Sequence, residues 1–566
     1  MKGRVRIEDV FVDFDPARIV FDDEGLLVVD KPVGVPSQAA DPEVEDDLPA
    51  RLRRYLARTG KPTYLGIHQR LDAETSGLIL FVRDRAHNPA IAAQFEGRRV
   101  EKTYVAGVTG WPPHARAREL TLHHRLAEDE RGRMRPVARG GKEARTRVRL
   151  IERVGDRALL ELSLETGRMH QARAQLAANG TPIAGDRLYD GEPAARLMLH
   201  AMGLSLRAAS GRPVRVRSKP PSELYEWLAH GDAGERIYDE PMALESGLRR
   251  ALERRWGLAR AMPAGRETNV FRLANEEGDG LPGLGLDYYA GFVVANVYGD
   301  LAESLARRDR ALDAIAALGF DGVYLKTRPK HASRLGEAER EKLAPPSPVR
   351  GLMAADPLAV VEEGTPYLVR LGDGLATGFY PDQRANRRRI CGAAKGKTLL
   401  NLFSYTCAFS IAAARAGAAR TTNVDASATA LERGRAGFAH AALDPDAHEF
   451  VAMDAHGFLE RAARKGQRWD LVVLDPPSYG TAKGGRFTVS SDFERLAAAA
   501  IRVLSSGGAM LASINHRQTS AARFRHVLLD AGRAAGRSMK ARNLPPPLDF
   551  PSWEESHLKA VWVTTS

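Results

Sequence analysis

Two stretches of this chain combine side chains suited to catalysis. In GIHQRLDAETSGLILFV, residues Arg70, Asp72, Thr75, Ser76 and Gly77 sit in a polar loop that feeds an apolar strand. A carboxylate held at a strand mouth is a candidate catalyst. The competing reading is a turn whose Asp and Thr side chains satisfy backbone amides. In WDLVVLDPPSYG, a second apolar strand runs into Asp475, Pro476, Pro477 and Tyr479. The prolines stiffen that turn and fix the direction of its carboxylate and carbonyls, while the ring offers a stacking face. A third stretch, NLFSYTCAFS, holds Cys407, one of only 2 cysteines in 566 residues. Its thiol is either a nucleophile or a small wall residue.

The elements that must position these residues differ between the two halves. Short β-branched runs such as LLVVD, LILFV and KTYVAGV fill the first 230 residues, with turns and a few helices such as LPARLRRYLARTG between them. That is α+β texture. A stretch at 205–240, rich in Gly, Pro and charge, is the best boundary candidate. A mixed segment follows, with strands GFVVANVY and GVYLKT around the helical LARRDRALDAIAALGF. From about 385 apolar strands (TLLNLF, RTTNVD, WDLVVLD, AMLASIN) alternate with Ala-rich helices, which predicts a doubly wound, Rossmann-like parallel sheet. The expected layout is a domain over 1–230, a small α/β domain over 231–372 and the doubly wound domain over 373–566.

Composition narrows the partners. The net charge of +12, with 27% charged residues of both signs, favours a polyanion such as RNA over a membrane. No apolar run approaches the roughly 18 residues of a membrane span. The N-terminus lacks the apolar core of a secretory signal. Two cysteines build neither a disulfide framework nor a zinc site, so the expected compartment is the reducing cytosol.

Four ordered motifs resemble the RluA-type pseudouridine synthases across roughly residues 15–225. They are QRLDAETSG, EKTYVAGV with Lys102 and Tyr104, LETGRMHQARAQLAANGTPIAGDRLYDG, and LMLHAMGLSL. The resemblance implies that Asp72 is the carboxylate that starts cleavage of the uridine glycosidic bond, as nucleophile or base. It implies that Tyr104 stacks on the extruded uracil and that Arg173, with Arg168 as runner-up, is the cation beside Asp72. Arg70 is expected to fill the gap left by the base or to bind phosphate, and Arg168 also counts as an RNA contact. No metal or cofactor is implied for this half. The family's extra N-terminal RNA-binding module is expected to be absent.

Across roughly 265–566 the chain resembles the RlmI/RlmK-like ribosomal RNA large-subunit methyltransferases, on ETNVFRLANEEGDGLPGLGLDYY, ATGFYPDQRANRR, NLFSYTCAFS, VVLDPPSYG and DFPSWEESHLKAVWV. The resemblance implies S-adenosylmethionine as cofactor. Phe379, Asp382, Gln383, Arg384, Phe403, Ser404, Thr406, Cys407, Asp425, Asp454 and Asp475 are expected around it; Asp425, at a strand end, either binds the ribose hydroxyls or simply caps a helix. Asp475 and Tyr479 are expected to hold the acceptor base, and Asn515 is a further candidate. Arg387, Arg388 and Arg389 read by default as a solvated helix face, with phosphate binding as the alternative. Relatives that methylate carbon 5 of cytosine need a cysteine on a late strand; here that strand reads MLASINHRQTS. A nitrogen acceptor, which attacks with its own lone pair, is therefore favoured, and Cys407 is expected to line the pocket. The whole reads as a bifunctional RNA-modifying enzyme acting on structured RNA, ribosomal RNA ahead of transfer RNA. The alternative is one catalytic half joined to an RNA-binding half.

Overall fold

The computed structural model describes residues 6–39, 44–111, 119–130, 132–328, 341–477 and 492–565, with backbone also at 481–482 and 485–486. The chain forms two compact units. One gathers 1–263, 276–284 and 300–320; the other gathers 264–275, 285–299 and 321–566.

The first unit is built on one large mixed sheet. Its main path runs Ile19–Asp23, Leu26–Lys31, Ser76–Val82, Leu199–Arg207, Glu101–Thr109, Arg157–Leu164, Lys142–Val154, Glu119–Glu128 and Met134–Pro136. The strand Ser76–Val82 is buried along its whole length, as its unbroken apolar run requires. It starts against Leu199–Arg207 at Gly77, where φ is 113° and an added Cβ would lie 2.3 Å from the Ala201 carbonyl oxygen, so only glycine permits this pairing. That pairing fixes the strand mouth a few residues after Asp72. The helix Leu48–Arg58 begins at Asp47, whose carboxylate accepts from the Ala50 amide at 2.8 Å, and its apolar face joins the core through Leu48, Leu52 and Leu56.

The polar stretch 205–240 packs within this unit. Pro213–Arg217 pairs antiparallel with Leu199–Arg207, and the helix Ser222–His230 buries Leu224, Trp227 and Leu228 in the core. Alternating Val214 and Val216 and the helical spacing of Leu224, Trp227 and Leu228 outweigh its Gly and Pro content. The segment 231–372 is divided: 231–263, 276–284 and 300–320 belong to the first unit and the remainder to the second.

The second unit holds a seven-stranded sheet in the order Glu449–Ala452, Arg420–Asp425, Thr398–Leu402, Trp469–Leu474, Leu504–Asn515, Leu558–Thr565, Met539–Leu544. The first five are parallel, and Leu558–Thr565 runs antiparallel to both of its neighbours, Leu504–Asn515 and Met539–Leu544. Both faces are covered: Leu400, Leu402, Val472 and Leu474 face one core, Leu399, Leu471, Val473 and Leu511 the other. This two-sided burial, about 1.5–3 kcal/mol per large aliphatic side chain, is why the strands read as continuous apolar runs. The strand order reverses at Thr398–Leu402, and ligands of such sheets bind beyond the strand ends at that point. A smaller sheet of Val270–Asn275, Leu284–Tyr289, Phe292–Val297, Gly322–Thr327 and Arg350–Gly351 precedes it.

Candidate active sites

Asp72 lies in a turn closed by the Thr75 amide donating to the Asp72 carbonyl at 3.0 Å. Ser37 pins the approach: its hydroxyl donates to the Leu71 carbonyl at 2.7 Å and accepts from the Leu71 amide at 3.0 Å. Arg173, on the helix Gln171–Ala178, donates through Nη1 to Asp72 Oδ2 at 2.9 Å. Its Nε and Nη2 clamp Asp186, at 2.7 and 2.8 Å, so one guanidinium bridges two carboxylates. Burial disfavours the charged guanidinium, but Asp186 and Asp72 outweigh it and hold its pKa above the ordinary arginine value. The Arg173 guanidinium lies 5.3 Å from the centre of the Tyr189 ring, whose hydroxyl contacts His170 Nδ1 at 3.2 Å.

Tyr104 is buried on the strand Glu101–Thr109. Burial first, and then the charge of Asp72, push its phenol well above the ordinary range, so it stays neutral. Arg168 donates to the Glu143 carbonyl at 2.9 Å. Arg70 is exposed and donates to Gln38 Oε1 at 3.1 Å. Among the described residues no cluster suits a metal ion.

The second site is a cavity of about 560 Å³ at the reversal point of the seven-stranded sheet. Its wall includes Phe379, Asp382, Gln383, Phe403, Ser404, Thr406, Asp425, Asp454, Asp475 and Asn515. The loop after Thr398–Leu402 has no glycine, yet Phe403, Tyr405 and Cys407 adopt φ of 56°, 48° and 63°. Each such residue costs about 1–3 kcal/mol and persists only where the surroundings over-determine it. Here Asp425 Oδ2 accepts from the Tyr405 amide at 2.9 Å, the Ser404 amide donates to Val424 at 3.0 Å, and the Cys407 amide to Ser404 at 2.7 Å. Asp425 Oδ1 also accepts from the Ser427 amide at 2.8 Å, and each oxygen keeps a further lone pair. Asp454 caps the helix Ala455–Arg464 through the Gly457 amide at 3.0 Å.

At the far wall Asp475 accepts from Ser513 Oγ at 2.6 Å and from Gln383 Nε2 at 2.9 Å. Burial pushes its carboxyl pKa up, and these two neutral donors oppose the shift. Asp382 Oδ1 is buried with no hydrogen-bond partner, and burial together with the charge of Asp475 raises its pKa to about 6. An orphaned carboxylate oxygen, a strand-end acid and room for a nucleoside suit S-adenosylmethionine, a ribonucleoside with a cationic tail.

Two expected wall residues are not among those lining the cavity. Arg384 is buried in a bidentate pair with Asp549, because a guanidinium out of water needs a carboxylate partner. Cys407 is fully buried behind the loop, its Sγ 3.8 Å from both Ser404 Oγ and the Tyr405 carbonyl, and burial raises its thiol to about 12. The default reading of the arginine run also fails at Arg387. It is buried, doubly hydrogen-bonded to Glu362 at 2.6 and 2.7 Å, stacked 4.2 Å over the Phe379 ring, and on the cavity wall. Tyr479 lies outside the described residues.

Residues 25–178 match the family described as RNA pseudouridylate synthase, and 334–563 match the S-adenosylmethionine-dependent methyltransferase family. A ribosomal RNA large subunit methyltransferase of Deinococcus radiodurans is 33% identical over 322 residues, 55% of this chain and 76% of that protein. The chain belongs to that family. Unlike a methyltransferase alone, it also carries a pseudouridylate synthase domain. Ribosomal RNA large subunit methyltransferase I of Aeromonas salmonicida is 31% identical over 274 residues, 48% of this chain and 68% of that one. Bacillus subtilis YwbD is 36% identical over 252 residues, 44% of this chain, which spans 61% of the YwbD length. Among solved structures, SMU.776 complexed with SAH aligns with a TM-score of 0.52 at 26% identity, covering 64% of this chain and 88% of that one.

Several residues of the cavity wall or beside it are not marked as such by the sequence reading. Arg387 shares a helix face with Arg384, Ile390 and Ala394, all buried, and that spacing was the available signal. Tyr380 and Tyr405, on the cavity wall with ring centres 5.9 Å apart, have only their place inside family-like motifs to mark them, and Ser513, which holds Asp475, has no such mark.

Proposed function

We propose that the chain is a bifunctional RNA-modifying enzyme. Its first site isomerises uridine to pseudouridine in structured RNA, and its second methylates a base nitrogen of ribosomal RNA. The observation that carries this reading is the pairing, in one chain, of a strand-mouth Asp72 held by Arg173 with a separate cavity bounded by Asp475-Pro476-Pro477.

In the first site Asp72 begins the reaction, as nucleophile or base, while Arg173 keeps its negative charge in place. Tyr104 packs on the uracil, its neutral hydroxyl offering a polar tip. The N1–C1′ bond breaks, the base turns, and a C5–C1′ bond replaces it as the C5 proton is lost and N1 gains one. Nothing is oxidised or reduced, so this half needs no cofactor. Arg70 and Arg168 contact the RNA backbone.

In the second site Phe379, Asp382, Gln383, Phe403, Ser404, Thr406, Asp425 and Asp454 hold S-adenosylmethionine, which supplies an electrophilic methyl group when bound. Asp425 offers its spare lone pairs to ribose hydroxyls, and ionised Asp382 suits the cationic tail. Asp475, immobilised by Ser513 and Gln383, sets the Pro476-Pro477 turn against the acceptor base, with Asn515 on the same wall. The chain's 2 cysteines leave no thiol to add to a pyrimidine ring: Cys407 is buried, and Cys391 donates to the Ala412 carbonyl at 3.4 Å. That favours a nitrogen acceptor.

Mass-spectrometric mapping of ribosomal and transfer RNA from a deletion strain tests the reading. Complementation with Asp72→Ala is expected to restore the methyl group and not the pseudouridine, and Asp475→Ala the reverse. If Asp72→Ala restored every pseudouridine, the role given to Asp72 would be wrong. Failure of the folded protein to bind S-adenosylmethionine would leave the second half as an RNA-binding module.

A further inference from the structure

The helix Pro241–Arg260 lies well beyond residues 25–178, which match the pseudouridylate synthase family, yet it belongs to the same compact unit. Its attachment is extensive. Arg51 donates to Glu253 Oε2 at 2.6 Å and to the Glu253 carbonyl at 2.9 Å, and its guanidinium lies 4.5 Å over the Trp256 ring. Arg54 donates to the Arg260 carbonyl at 3.0 Å. Gly257 allows the close approach: an added Cβ would lie 2.2 Å from Asp46 Oδ2.

One side chain of this helix reaches the Asp72 turn. Arg254 Nη2 donates to Glu74 Oε2 at 2.6 Å, two residues from Asp72, and Nη1 donates to Asp279 Oδ1 at 2.8 Å. Asp279 has a fully buried side chain and is clamped from the next residue by Arg255, at 2.8 and 2.7 Å. Arg254 is thus held from behind by a fixed acid while its other arm holds Glu74. Its stem lies over Gly34, where φ is 84° and an added Cβ would come within 2.4 Å of Arg254 Cγ. Gly34 itself donates to the Ala73 carbonyl at 2.9 Å, and Lys31 Nζ donates to the same oxygen at 2.8 Å. The backbone of the turn is therefore pinned at Leu71 and Ala73 from the strand side, and its side chain at position 74 from the helix side.

Resting on the reading of Asp72 as the essential carboxylate of the synthase, we propose that Arg254 is a positioning residue for that reaction, so that the helix Pro241–Arg260 is a working part of the synthase site. Arg254 takes up the charge of Glu74 and leaves Arg173 to Asp72 and Asp186. Without it, a second carboxylate two residues away is released beside the Asp72–Arg173 pair, and the turn that aims Asp72 loses its outer anchor. A displacement near 1 Å at a reacting group costs on the order of 100-fold in rate.

The test uses the full-length protein with ribosomal RNA from a deletion strain as substrate. Arg254→Ala is expected to lower kcat for pseudouridine formation by roughly 10- to 100-fold with KM changed less than about threefold. Arg254→Lys should recover part of that loss, and methyl transfer by the same preparation should stay at the wild-type rate. Glu74→Ala, which removes only the turn's side of the contact, covers the case in which Arg254→Ala does not fold. It releases no carboxylate, so through loss of the outer anchor alone it should lower kcat by roughly 10-fold, with KM changed less than about threefold. Wild-type kcat in folded Arg254→Ala, or in Glu74→Ala, overturns the proposal, and so does a loss confined to KM. An inactive wild type, or an active Asp72→Ala, would instead overturn the synthase reading itself.

Discussion

The two sites hold their key carboxylates in opposite ways. Asp72 is paired with a cation, and that cation is itself clamped by Asp186, whose side chain is fully buried. Asp475 is held by a hydroxyl and an amide, and its neighbour Asp382 has an oxygen with no partner. A carboxylate that must act on a neutral sugar or base needs its counter-ion supplied by the protein. A pair of carboxylates facing a cationic cofactor can leave that countercharge to the ligand. The pKa pattern agrees with this contrast: both Asp475 and Asp382 are pushed up by burial, and Asp382 reaches about 6.

Removing the carboxylate itself should give the largest effect. Asp72→Ala is expected to lower pseudouridine formation by at least about 1000-fold in single-turnover assays while methyl transfer proceeds at the wild-type rate. Next comes the cation. Arg173→Ala strands Asp186 in the interior, so a loss of about 3–5 kcal/mol in denaturant unfolding of the first unit should accompany the loss of activity. Equal stability would mean that the Leu188 and Tyr189 amides, which donate to Asp186 Oδ1 at 3.1 and 3.3 Å, hold its charge without the guanidinium. On the other side of the comparison, Ser513→Ala removes one neutral donor from Asp475. It should cost about 1–3 kcal/mol of stability and slow methyl transfer roughly tenfold, measured with tritiated methyl donor.

The smallest effect concerns pH. Asp382 has its folded pKa raised to about 6 from an ordinary carboxylate value near 3.8. Between those values the folded state binds more protons than the unfolded state, so this group's contribution to stability falls as pH rises through the window and stays low above pH 6. Asp382→Asn should therefore be more stable than wild type at pH 7, with the advantage shrinking as pH falls toward 4. S-adenosylmethionine affinity of the wild type should decline below about pH 6 as Asp382 protonates, a dependence that calorimetry should find missing in the variant.

Much of the architecture was legible because periodicity and burial leave a direct imprint on sequence. Strands buried on both faces must read as unbroken apolar runs, which marked Thr398–Leu402 and Trp469–Leu474 and the parallel sheet they form. The stretch 205–240 misled because Gly, Pro and charge are counted without regard to spacing, whereas Val214, Val216, Leu224 and Trp227 sit at strand and helix intervals. Cys407 was placed in the right loop and on the wrong side of it. Phe403, Tyr405 and Cys407 share a left-handed φ, yet the first two line the cavity while Cys407 is fully buried, a difference that packing decides and the loop's composition does not show.

By itself the sequence determined the order of the elements, the two catalytic classes and the short motifs that bring Asp72 and Asp475 to strand ends. Those depend on residues close together along the chain. Tertiary structure decided which cation meets Asp72, that Arg387 is buried against Glu362 while Arg388 pairs at the surface with Glu363, and that Arg254 reaches back across 180 residues to Glu74. Ion pairs between distant segments form wherever the fold leaves a buried charge without water. The identity of each partner is therefore settled only when the chain has closed around it.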